Sequence, residues 1–176
     1  IRLARSYTKK DSIAVIGKFW HGSDNEFLFK NNKIQFSSGI PISQQDDIVW
    51  FDNISEFVSC QNRSEFAALM CEPYQGADPS VCTLGGLTDE LRAGLRRDNI
   101  LLIVDEIITA FREKYGSCNQ SRRVDPDIVI FGKALALGFP VGMVLVNQKL
   151  DLAKEAKPFW GGTFAASPWQ IFSIRS

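Results

Sequence analysis

Charged side chains stand at three places where apolar runs of this 176-residue chain stop. Lys133 ends DIVIFGK, Asp105 and Glu106 end LLIVDE, and Glu72 follows AALMC. Lysine is rarely buried without a partner, and an unpaired buried charge is costly. A lysine at the mouth of such a run has two readings. Its stem can lie along a sheet edge while the ammonium reaches water. Alternatively, a desolvated lysine amine has a lowered pKa and condenses with aldehydes to a Schiff base. A carboxylate closing a second run would then suit the ring nitrogen of an aldehyde-bearing cofactor.

Other chemistries fit less well. LLIVDE also has the form of the acidic strand of ATPases, which requires a phosphate loop G-x-x-x-x-G-K-[ST]. Here Gly132-Lys133 is followed by Ala134, and Asp127 stands where the first glycine would be. The plain alternative is an Asp-Glu pair that simply ends a strand. Cys60, Cys71, Cys82 and Cys118 form no C-x-x-C pair, and His21 is the only histidine, so no metal site is expected. Cys71 reads as a small core residue and the thiols as reduced, which points to the cytoplasm. With 20 basic and 20 acidic residues, the usual electrostatic case for nucleic acid or an anionic membrane is missing. No stretch reaches the roughly 18 consecutive apolar residues of a membrane span, and IRLARSYTKK lacks a signal-peptide core.

These residues need a scaffold, and the sequence implies one. Six short apolar runs recur: 13–19, 47–52, 67–73, 101–107, 127–133 and 142–147. Most are continuously apolar, as strands covered on both faces of a parallel sheet are. Helical stretches lie between them. In TDELRAGLRRDN, residues 88–99, Thr88 can cap the start, acids fill the first turn and arginines the last. Leu87, Leu91 and Leu95 give it an apolar stripe, and Ile1, Leu3, Ala4 and Tyr7 suggest another amphipathic helix. Alternating strands and helices predict an α/β fold: a mostly parallel sheet with helices on both faces. Ligands on such sheets sit outside the carboxyl ends of the strands, where Glu72, Asp105 and Lys133 fall. An apolar fraction of 45% and this length suit one domain. The chain begins without methionine and stops at FSIRS, and is expected to be a piece of something longer.

Six motifs in order carry a resemblance over nearly the whole chain: IRLARSYT, FWHGSDNEF, CEPYQG, LLIVDEIITAFR, DPDIVIFGKALALGFPVG and GGTFAASP. The chain resembles the class III, pyridoxal-phosphate-dependent aminotransferases, and within them the glutamate-1-semialdehyde aminomutase branch. The resemblance implies fold-type I, with residues 1–176 as the central part of the large cofactor-binding domain. The start of the phosphate loop, the amino-terminal segment and the carboxyl-terminal small domain would lie outside it. A helix N-terminus is a natural place for the cofactor phosphate, and that loop would precede Ile1. The cofactor implied is pyridoxal 5'-phosphate, with pyridoxamine 5'-phosphate as cycle intermediate.

Position by position, the resemblance makes Lys133 the covalent anchor and proton carrier and Asp105 the partner of the pyridine nitrogen. Trp20, where the family usually has Tyr or Phe, would stack on one ring face and Ile107 on the other. Thr163 would reach the phosphate of a neighbouring subunit, implying a homodimer with shared sites. His21 would sit near the cofactor or make a structural hydrogen bond. Trp20 and Ile107 also read as ordinary core residues, Glu72 as shaping the site, and Arg112 as a salt-bridging residue. Ala136-Leu137-Gly138 replaces a glycine run, Ala110 a glycine, and Ser167 an asparagine. The function implied is amino exchange within one small substrate. The alternatives are an intermolecular aminotransferase for an amino acid, diamine or amino sugar, and a non-catalytic scaffold of the same fold. The isolated 176 residues are expected to be inactive.

Overall fold

The computed structural model describes residues 1–30, 33–34, 39–40, 47–113, 115–136, 138–150, 158, 161–163 and 165–175. All six apolar runs become strands of one sheet: β1 (Ile13–Ile16), β2 (Ile48–Phe51), β3 (Ala68–Cys71), β4 (Leu101–Asp105), β5 (Ile128–Phe131) and β6 (Met143–Val146). Their order across the sheet is β6-β5-β4-β3-β1-β2. Four of the five pairings are parallel, and β6 runs antiparallel on β5, with Met143 opposite Phe131. The sequence reading of a mostly parallel sheet is therefore correct.

Side chains of a strand alternate between its faces, and the core divides accordingly. Ala14, Ile16, Leu69, Cys71, Leu102 and Val104 pack on one face. Ile13, Val15, Ala68, Met70, Leu101 and Ile103 pack on the other. Helices α2 (Ile54–Ser59) and α3 (Asp89–Arg97) bring Phe57 and Leu95 to the first face, and α1 (Arg2–Thr8) brings Leu3 and Ala4 to the second. That double covering explains why the central strands β1, β3 and β4 are buried at every position rather than at every second one.

The helix signals act locally as the residue types require. Thr88 Oγ1 accepts from Leu91 N at 3.2 Å, while Leu87 and Leu95 are buried. This satisfies one of the otherwise orphaned N–H groups of the first turn. Two short helices complete the description: α4 (Cys118–Arg122) and α5 (Pro168–Arg175). No helix among the described residues is long and apolar enough to cross a membrane.

Between β3 and α3 the chain makes a two-stranded ribbon, Tyr74–Gln75 with Asp78–Cys82, which no apolar run had signalled. The parallel strands β1, β3, β4 and β5 end along one edge of the sheet. Their exits carry Trp20 and His21, Glu72, Asp105 and Lys133 respectively.

Candidate active site

Asp105 is the last residue of β4 and is 3% exposed. A carboxylate this deep needs partners, and it has two. Its Oδ1 accepts from Ile107 N at 3.0 Å, and its Oδ2 lies 2.8 Å from Nδ1 of His21. The imidazole side chain is fully buried, stacked on Phe19 with ring centroids 4.3 Å apart. His21 thus comes from the β1 exit and reaches across β3 to the β4 exit. Of the two roles open to it in the sequence, the structure shows the hydrogen bond.

The next residue, Glu106, faces elsewhere. It is fully buried and accepts from Cys118 N at 2.7 Å and Asn119 N at 3.0 Å, as well as from Ser117 Oγ and Asn119 Nδ2. Its carboxylate therefore holds the start of α4. Adjacent acids of one strand end are thereby divided, one for the sheet edge and one for a helix.

Lys133 follows β5, the neighbour of β4. The parallel register pairs Asp105 with Ile130, so Lys133 lies just beyond it along the adjacent strand. It opens a 3-10 turn over Lys133–Ala136 with φ +41°. A non-glycine residue there stores strain of about 1–3 kcal/mol, a feature that clusters at functional sites. The side chain is exposed. The apolar enclosure that the sequence suggested for the amine is thus not supplied by the described residues. Gly132 has a steric reason: a Cβ there would come 3.3 Å from Ile107 Cγ2, so the missing side chain lets Ile107 lie close against the β5 exit.

Glu72 follows β3 and is 3% exposed. Its Oε2 accepts from Gly76 N at 2.6 Å, and burial lifts its pKa above the ordinary glutamate value. The bond ties the carboxylate to the backbone of the turn that follows β3. Trp20 is 51% exposed, so it is not a core aromatic in this chain, whereas Ile107 is half-buried. Thr163 lies in an exposed turn.

Arg112 departs from expectation. Instead of a salt bridge, its Nε donates to Ile108 O at 3.2 Å, one turn back along the chain, and no ion pair of Arg112 occurs among the described residues. The substitutions after the lysine are accommodated in part: the Ala136 methyl is buried, and Phe139 N donates to Ala136 O at 3.0 Å. Leu137 lies outside the described residues. Ser167 N donates to Gln170 Oε1 at 3.2 Å at the start of α5, and Ala110 is fully buried.

A flat heterocycle with a protonated ring nitrogen fits these residues. An ionised carboxylate offers about four acceptor sites, and Asp105 uses one on each oxygen. His21 Nε2 is buried with no partner among the described residues, which leaves that side of the pair able to take one.

The site thus sets a buried carboxylate and a positive-φ lysine at adjacent strand exits of an open α/β sheet. Residues 2–174 match the family model of class-III aminotransferases. The chain belongs to that family of pyridoxal-phosphate-dependent enzymes. It is 31% identical over 182 residues to a glutamate-1-semialdehyde 2,1-aminomutase of Methanosphaera stadtmanae, covering 97% of this chain and 43% of that one. Another protein of that name, from Acidobacterium capsulatum, is 34% identical over 96% of this chain and 42% of its own. Among solved structures, an omega-transaminase from Sphaerobacter thermophilus superposes with TM-score 0.80 at 26% identity, covering 99% of this chain and 45% of that one. The chain thus spans less than half the length of the relatives it matches.

Proposed function

We propose that the whole protein moves amino groups with pyridoxal 5'-phosphate, in the aminomutase manner: from one carbon of a small substrate to its neighbour. The observation that carries this reading is the Asp105 carboxylate, buried, oriented by His21, and one strand away from Lys133. When bound, the cofactor supplies an aldehyde that takes up amino groups and a ring that withdraws the electron pair left at the substrate carbon.

The protein's own groups do the rest. Lys133 Nζ would be the group that holds the cofactor, and its amine would carry a proton to and from the reacting carbon. Asp105 keeps a proton on the ring nitrogen, because a fixed negative charge favours the protonated form. His21 Nδ1 sets the direction of that carboxylate. Trp20 and Ile107 would be the side chains that cover the ring and keep water from it.

Residues 1–176 would form the central part of the large cofactor-binding domain, with the phosphate-holding turn and the small domain in other parts of the protein. By themselves they would give no turnover. Thr163, in its exposed turn, would serve the phosphate in a neighbouring copy of a homodimer. The reading of its thiols as reduced supports a cytoplasmic enzyme.

An intermolecular aminotransferase is the second reading, supported by the likeness to an omega-transaminase. The test has two stages. The whole protein is incubated with pyridoxal phosphate, reduced with borohydride, and its labelled peptide mapped. Label on Lys133 is expected; cofactor-binding protein without it would leave a non-catalytic scaffold. Turnover of an aminoaldehyde with no added amino acceptor supports the aminomutase, whereas dependence on a separate keto acid gives the aminotransferase.

A further inference from the structure

The chain leaves β1 through Gly17, at φ +79°, where a side chain would be strained and also has no room. A Cβ on Gly17 would run into the side-chain amide of Gln75, at Nε2 and Cδ. Gln75 is 6% exposed, so its amide is seated in the protein against the bare Gly17 backbone. Its Oε1 accepts from Lys18 N at 2.8 Å, and Ala77 N donates to Lys18 O at 3.2 Å. Both backbone polar groups of Lys18 are therefore held by the 75–77 turn. Glu72 in turn holds that turn through Gly76 N. Immediately after Lys18 come Phe19, Trp20 and His21, with His21 on Asp105.

We propose that Gln75 is a positioning residue: its side-chain amide, seated on Gly17, fixes the direction in which residues 18–21 leave β1, and so holds His21 on Asp105 and Trp20 beside the site. A strand exit has free φ and ψ at every residue, and a small rotation at Lys18 is magnified at the rings beyond it. The bond from Lys18 N to Gln75 and the bond from Ala77 N to Lys18 O remove that freedom by joining two strand exits, β1 and β3. The consequence for cofactor geometry rests on the aminotransferase reading; the backbone lock does not.

The test compares the whole protein with Gln75→Met, which keeps the length and loses the acceptor, and Gln75→Glu, which restores an oxygen at that reach. In the cofactor-free protein, amide hydrogen exchange over residues 18–21 is expected to quicken at least tenfold in Gln75→Met and to return towards the original rate in Gln75→Glu. With cofactor bound, the visible circular dichroism of Gln75→Met should weaken, and kcat should fall by about 100-fold, the scale expected for a 1 Å misplacement. Unchanged exchange and an unchanged dichroic signal in Gln75→Met would overturn the proposal. Should that variant not fold, Gly17→Ala displaces the same amide, and wild-type exchange at 18–21 in it would equally overturn it. Borohydride mapping of the unsubstituted protein is read in parallel. Loss of the Lys133 label there would count against the aminotransferase reading while leaving the exchange result to stand or fall separately.

Discussion

Nδ1 of His21 lies 2.8 Å from the carboxylate of Asp105, although the two leave the sheet from β1 and β4, with β3 between them. The only histidine of the chain is thereby committed to the carboxylate that faces the sheet edge. Its ring stands on Phe19, so the pair has both a fixed distance and a fixed plane.

Replacing His21 by Phe keeps a ring to stack on Phe19 and removes the nitrogen. In the whole protein kcat should fall by about 10- to 100-fold, the cost of a misdirected group, with the Lys133 label retained. Asp105→Ala should lose more, about 1,000-fold, because the stabilising charge itself is gone. Steady-state rates read beside borohydride labelling distinguish the two; equal losses would contradict the ordering.

Glu106→Ala should behave differently. It removes the acceptor of two buried backbone N–H groups at the start of α4. Unsatisfied buried donors are penalised, so the whole protein should lose about 3 kcal/mol of stability in urea unfolding. Because Glu106 faces away from the sheet edge, covalent labelling of Lys133 should persist under native conditions.

Burial raises the Glu72 pKa above 4.5, so the folded chain binds that proton more tightly than the unfolded chain. The resulting stabilisation is complete below the unfolded value and is lost as pH rises through the higher folded one. Asp127, also raised by burial, adds to the same slope. Glu72→Gln keeps an acceptor for Gly76 N but cannot titrate. Urea midpoints of the whole protein measured upward from pH 4.5 should therefore fall less steeply in the variant; parallel curves would refute this.

Cys71 is fully buried within β3, and burial pushes its thiol up to about 12. The thiolate is the reactive form. Iodoacetamide at pH 8 should therefore spare Cys71 in the native protein and modify it after denaturation, as peptide mapping would show. The half-buried Cys60 and Cys82 serve as internal controls.

Much of the fold was legible because its cause is local. A strand covered on both faces is apolar without alternation, as the central strands β1, β3 and β4 are, and the six apolar runs became the six sheet strands. The caps and stripe of α3 were legible for the same reason, since a helix turn brings together residues three and four apart. Lys133 and Asp105 stood out as charges where apolar runs stop. The ribbon at 74–82 was not visible, because its strands are short, with no periodic burial to mark them. The Arg112 bond was not legible, because its acceptor is a backbone carbonyl, which carries no residue-type signal.

The sequence by itself determined which segments are strands and helices and which charged residues fall at strand ends, because hydrophobic period and capping act within a few residues. Only the tertiary structure decided that β4 lies between β3 and β5, that β6 is antiparallel, and that His21 reaches Asp105. It also decided that Asp105 serves the sheet edge and Glu106 serves α4. Neighbouring side chains at a strand end point opposite ways, and which way each points depends on what the distant chain packs against either face. The seat of Gln75 on Gly17 has the same origin: two strand exits meet there that are far apart in sequence.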